Sequence, residues 1–156
     1  MAFKPDIIVT HGDVHELVLV VDVRQHLADL EAVELGLRRY MSGTRCPLGM
    51  LVTPQTLRLY RDRYTGDGKG PVELVGEYSV EGLFAPDLAN ATRASAAQRD
   101  FELEDTVQSW LEQLTDGRER ARLPRSLREG IEAHVLPALE ESEISAAHIR
   151  WRPTGT

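Results

Sequence analysis

The chain has 156 residues, of which 42% are hydrophobic, and a formal net charge of −7. That is enough apolar content for one buried core, but the balance is too acidic for a binder that releases phosphate counterions from a uniformly basic surface. One cysteine, Cys46, excludes an intrachain disulfide, and no run of about 18 apolar residues offers a membrane span. With no signal-peptide or lipidation pattern, these features predict a cytoplasmic protein of bacterial style that engages no membrane.

From Lys4 to Arg24 (KPDIIVTHGDVHELVLVVDVR) two apolar runs flank the polar turn His11-Gly12-Asp13. Leu17 to Val21 is five aliphatic residues without a polar interruption, which predicts an interior strand. Paired as an antiparallel hairpin, the runs bring Asp6 and Asp22 to the same end of the sheet. Side chains alternate, so Asp22 and Arg24 share one face and Val21 and Val23 take the other. One reading of this cluster is an ordinary ion pair at a sheet margin. The other is chemical: two close carboxylates repel unless a cation neutralises them, and Mg²⁺ takes one or two carboxylates plus waters. A metal there would activate water and neutralise a phosphate, with a fixed positive charge beside it. His11, Asp13 and His15 are of metal-ligating type, but they read as an exposed turn with no fixed element beneath.

Leu27, Leu30, Val33, Leu37 and Met41 recur at intervals of three and four, predicting an amphipathic helix that Ser42-Gly43 ends. It should cross over to an interior strand, Leu48 to Thr53. After the turn Pro54-Gln55-Thr56, Leu57 to Arg61 alternates as an outer strand, with Arg58 and Arg61 toward solvent or a ligand. Thr65 to Pro71 lacks the spacing of a phosphate loop and reads as a turn. Val72 to Tyr78 is expected as an edge strand, Val80 to Leu88 as a short helical piece, and Leu88 to Ala97 as a linker. Two helices follow. The first buries Leu103, Val107, Trp110, Leu111 and Leu114 and closes at Asp116-Gly117. The second opens with a capping box at Ser126-Leu127-Arg128-Glu129, buries Leu127, Ile131, Val135 and Ala138, and is bent or stopped by Pro137. Ile149 to Thr156 has no assignable pattern.

Charge is unevenly distributed. Between Arg38 and Lys69 stand seven basic residues (Arg38, Arg39, Arg45, Arg58, Arg61, Arg63 and Lys69) against Asp62 and Asp67 alone. This basic middle third is either a phosphate-facing patch or a solvated arginine face.

Pro5-Asp6 before Ile7-Ile8-Val9, a hydrophobic strand ending Asp22-Val23-Arg24, an amphipathic helix and a further strand make an order that resembles the PD-(D/E)XK nuclease superfamily, of restriction-endonuclease-like fold. The resemblance spans roughly residues 4 to 63 and is nearest to the nuclease domain of type I restriction-enzyme motor subunits, where a phrase similar to Gly49-Met50-Leu51-Val52-Thr53 also follows. It implies that Asp6, Asp22 and the Val23 carbonyl hold Mg²⁺ or Mn²⁺, that Asp6, Asp22 and Arg24 are catalytic, and that the basic stretch from Arg38 to Lys69 guides nucleic acid.

Two positions depart from the pattern. Arg24 stands where the family has lysine; a guanidinium stabilises charge but cannot act as a base. Gly36 stands four residues before Tyr40, where some families carry glutamine. The family fold usually begins with a helix before its first core strand, whereas Pro5 comes almost at once here: either that helix is lost, or the sequence is one piece of a larger protein, or later helices fill its place. Two functions follow from the resemblance. One is metal-dependent phosphodiester hydrolysis in a bacterial defence or DNA-processing system. The other is a catalytically degenerate nuclease fold that binds nucleic acid, or binds a protein through the basic stretch or the C-terminal helices. The expected architecture is an α/β fold with a mixed sheet of four or five strands: residues 1–88 as the nuclease-like core and 89–156 as a helical C-terminal annex packing on it. Oligomeric state is left open.

Overall fold

A computed structural model describes residues 3–13, 15–63, 72–84 and 96–147. Strands β1 (Ile7–His11) and β2 (Glu16–Val23) pair antiparallel, with Ile7 opposite Val21 and Val9 opposite Leu19. The register shifts at Val9/Thr10, where Thr10 faces Leu17 and Val18 is left as the extra residue of a bulge. Below the bulge the alternation is inverted: Leu17 joins one core, while Val18 and Leu19 both join the other.

The crossover is helix α1 (Leu30–Thr44), after which β3 (Leu48–Val52) lies parallel to β2. The helix begins later than its apolar stripe because the Asp29 carboxylate caps it, accepting from the Ala32 amide at 3.2 Å. It also ends later than Ser42-Gly43. Arg45, not Gly43, takes the left-handed conformation (φ 56°), and its amide donates to the Met41 and Ser42 carbonyls.

Strand β4 (Thr56–Asp62) runs antiparallel to β3 and β5 (Val72–Ser79) antiparallel to β4, so β4 is interior, not outer, and β5 is the edge. The full order is β5-β4-β3-β2-β1-β6. The mixed sheet therefore has six strands, not four or five. The addition, β6 (Ser142–Ala146), pairs antiparallel with β1 from within the segment expected to be helical. Its sequence, SEISA, carries a single large apolar residue and no strand-like alternation.

Five helical pieces belong to that segment's neighbourhood: α2 (Ala96–Gln113), α3 (Gly117–Ala121), α4 (Arg125–Gly130), a π turn over Ile131–Val135, and α5 (Leu136–Leu139). Asp116 does not close α2 but caps α3, accepting from the Arg118 amide at 2.9 Å. The capping box at Ser126 is absent. Helix α4 starts at Arg125 behind Pro124, with no side-chain cap, so Ser126 already lies inside it. Pro137 sits two residues past the end of the π turn, whose wider hydrogen-bonded ring suits a residue that brings no N–H and crowds the carbonyl four residues back. Of the piece expected from Val80 to Leu88, Val80 donates its amide to the Gln55 carbonyl, Glu81 to Phe84 form turns, and 85–88 lie outside the described residues. So do Thr65 to Pro71, most of the expected linker, and the tail from Ile149.

Helices cover both faces of the sheet. On one, α1 sets Leu37 and Met41 against Val20, Leu51 and Tyr60. Gly49 lets it approach closely, since a Cβ there would lie 2.5 Å from the Met41 sulfur. On the other, Ile7, Val9, Leu19, Val21, Met50, Val52, Leu57 and Leu59 form one cluster with Val107, Leu111, Leu114, Leu127, Ile131 and Val135. Coverage on both sides is why the central strands read as near-continuous aliphatic runs. No described helix is long and apolar enough to cross a membrane.

Candidate functional site

The hairpin register that faces Ile7 with Val21 places Asp6 across from Asp22 at one end of the sheet. Asp6 is pinned by its backbone, its amide donating to the Val21 carbonyl at 2.9 Å and its carbonyl accepting from Ala147 at 3.0 Å. Its Oδ2 accepts from the Val23 amide at 2.7 Å. Asp22 is 3% exposed. Its Oδ2 accepts from Arg24 Nε at 2.9 Å, and the Arg24 amide is fixed to the Val52 carbonyl of the parallel neighbour at 2.9 Å. The ordinary ion pair of the sequence reading is therefore present, with the second carboxylate beside it.

Burial pushes the Asp22 carboxyl up to about 7; the hydrogen bond from Arg24 works against this, and the adjoining Asp6 carboxylate adds to it. Asp6 and Asp22 thus share one small, charge-crowded site, relieved by an amide and a guanidinium. As a seat for Mg²⁺ or Mn²⁺ this set does not fit as it stands. Asp22 is closed to the waters that Mg²⁺ keeps, and its Oδ2 is occupied by a cation already. Among the described residues no group of three or more His, Cys, Asp or Glu side chains converges, the His11 turn included.

Arg24 is the hinge between this acidic pair and the surface. Its side chain is 44% exposed. It lines a cleft of about 850 Å³ with Phe3, Lys4, His26, Ala28, Asp29, Ala32, Val33, Gly36, Arg39 and Tyr40. Three basic side chains, Lys4, Arg24 and Arg39, thus face a space whose one carboxylate, Asp29, is committed to capping α1. In a chain of net charge −7, that is a local reversal of sign.

Most of the basic stretch lies elsewhere. Arg58 pairs with Glu34 at 3.0 Å and with Glu77, and its Nε donates to the Tyr60 hydroxyl at 3.0 Å. Tyr60 in turn donates to Glu34, and the Arg38 guanidinium carbon lies 5.7 Å from the Tyr60 ring centroid. Burial disfavours charge on Glu34, but hydrogen bonds from Tyr60 and Arg58 outweigh it and hold the carboxyl below its ordinary range. Burial and the bond to Glu34 push the Tyr60 phenol up to about 12. Arg61 and Arg63 share Glu73, at 2.7 and 3.4 Å. Arg45 ends α1, and Lys69 lies outside the described residues. Of the six basic residues among the described ones, the structure brings Arg39 alone to the cleft beside Arg24.

Sequence reasoning missed Phe3, Lys4, His26 and Tyr40 as lining residues. Lys4 had a signal in standing directly before Pro5-Asp6, and Tyr40 in its place four residues after Gly36; His26 and Phe3 had none, because only the crossover brings α1 over the N-terminal segment. Comparison with protein-family models, with curated proteins and with solved structures finds no significant match to this chain.

Proposed function

We propose that the chain is a catalytically degenerate relative of the restriction-endonuclease-like fold that binds nucleic acid through the cleft lined by Lys4, Arg24 and Arg39. The observation that carries this reading is the Arg24 guanidinium, which neutralises Asp22 at 2.9 Å on one side and faces the cationic cleft on the other. Two acids at the ends of adjacent strands, followed by a crossover helix, support descent from the nuclease arrangement. An arginine in the lysine position supports loss of the base. The three cations supply the phosphate-neutralising term that dominates such binding.

One observation favours the second reading, a metal-dependent nuclease: the Asp6 and Asp22 carboxylates adjoin, as two ligands of a divalent ion would once Arg24 released Asp22. The two are separated by incubating labelled single- and double-stranded DNA and RNA with the protein in EDTA and in Mn²⁺, following binding by anisotropy and cleavage on a gel. Binding in EDTA with intact substrate in both buffers is expected. Mn²⁺-dependent cleavage that disappears in Asp22→Ala would establish the nuclease instead.

A further inference from the structure

The cleft has an aromatic side as well as a cationic one. Phe3 and Tyr40 meet there with ring centroids 5.4 Å apart and planes at 57°, forming an angled apolar corner. The corner is built by Gly36: a Cβ at that position would lie 3.2 Å from Phe3 Cδ2, so glycine is what seats the Phe3 ring on α1. Val33, Ala28 and Ala32 extend the same wall without adding charge, and Lys4, Arg24, His26 and Arg39 stand around it. A volume of about 850 Å³ is within the range of sites that enclose a small organic ligand. It is too small for a duplex, whose two backbones would meet the surface outside it.

Flat aromatic faces beside a set of cations select a ligand that is planar and apolar at one end and anionic at the other. We propose that the cleft holds one nucleotide unit, its unpaired base against Phe3 and Tyr40 and its phosphate among Lys4, Arg24 and Arg39. This deepens the nucleic-acid reading above and rests on it. A sugar phosphate or inorganic phosphate leaves the aromatic corner unused. Besides the charged side chains, only His26 and the Tyr40 hydroxyl among the lining groups can hydrogen-bond through side chains, so recognition of the base is chiefly by stacking and tolerates sequence. The unit is supplied either as a free mononucleotide or as the end of a single strand.

The test titrates the protein with a 5′-phosphorylated trinucleotide carrying 2-aminopurine at its first position, with AMP, and with inorganic phosphate. Stacking is read by quenching of 2-aminopurine and affinity by anisotropy. Quenching on binding is expected, with Tyr40→Leu weakening affinity about tenfold and abolishing the quench, and Tyr40→Trp restoring both. Lys4→Glu with Arg39→Glu should weaken binding at least about tenfold. AMP that competes as well as the trinucleotide identifies a free nucleotide as the ligand; a trinucleotide that binds at least about tenfold tighter identifies a strand end. Binding without quenching, or Tyr40→Leu at wild-type affinity, overturns the base site and leaves the phosphate reading intact. Absence of binding by every probe overturns both.

Discussion

Asp22 is the residue on which the site turns, and its environment makes a pH signature. Its carboxyl is pushed up to about 7 in the fold, against an unfolded value near 3.9. Between those values the folded state holds a proton that the unfolded chain has lost, so this group's contribution to stability is complete below about pH 4 and is lost as pH rises through 7. Asp22 therefore adds a negative slope of up to about 1.4 kcal/mol per pH unit over that window. Asp22→Asn, which still accepts from Arg24, should flatten the curve and be more stable than wild type at pH 8; denaturant melts at pH 4.5 and pH 8 measure this, and parallel curves for the two proteins would refute it. The acid pair and its arginine were legible in the sequence because strand alternation and a hairpin suffice to place them. The cleft beside them was not. Its aromatic corner joins Phe3 to Tyr40, residues far apart in the chain, and neither sequence pattern nor spacing encodes how α1 lies over the N-terminal segment.

Helix α1 carries both the fold and the cleft, and Asp29 separates the two roles. Its carboxylate holds the helix N-terminus, so Asp29→Ala should cost about 1 kcal/mol by denaturant melt. The same change deletes the cleft's one carboxylate, so oligonucleotide binding should tighten despite the loss of stability. Weaker binding in that variant would mean that the helix geometry, rather than charge, governs the cleft. At the helix's other end the sequence misleads: Gly43 invites a left-handed exit, but Arg45 takes it, because Cys46 must turn inward to donate its thiol to the Leu48 carbonyl and start β3. Tertiary burial outweighed local preference there; at Ser126 a competing local signal, Pro124, had already set the helix start.

Across the whole molecule, the two cores lie on opposite faces of one sheet, and the larger is shared between strands from the first half of the chain and helices from the second. Removing everything from Ala96 onward would bare Ile7, Val9, Leu19, Val21, Met50, Val52, Leu57 and Leu59 and strip β6 from β1. A chain ending at residue 95 should show no cooperative unfolding transition in urea, and a cooperative one would make the C-terminal helices a true annex. The parallel β2–α1–β3 crossover was readable from period and run length, whereas β6 was hidden by a polar sequence that pairs through its backbone. Charge, too, is a whole-molecule property: glutamates from α1 and β5 pair with Arg58, Arg61 and Arg63, and the proposed phosphate contact falls to Lys4, Arg24 and Arg39 in the cleft. The most direct test of that assignment is the salt dependence of single-stranded oligonucleotide binding in EDTA. One phosphate held among the three cations predicts a log–log slope of about −0.7 for the wild type, falling toward zero in the Lys4→Glu, Arg39→Glu double variant. A slope near zero in the wild type, or one that the double variant leaves unchanged, would contradict it.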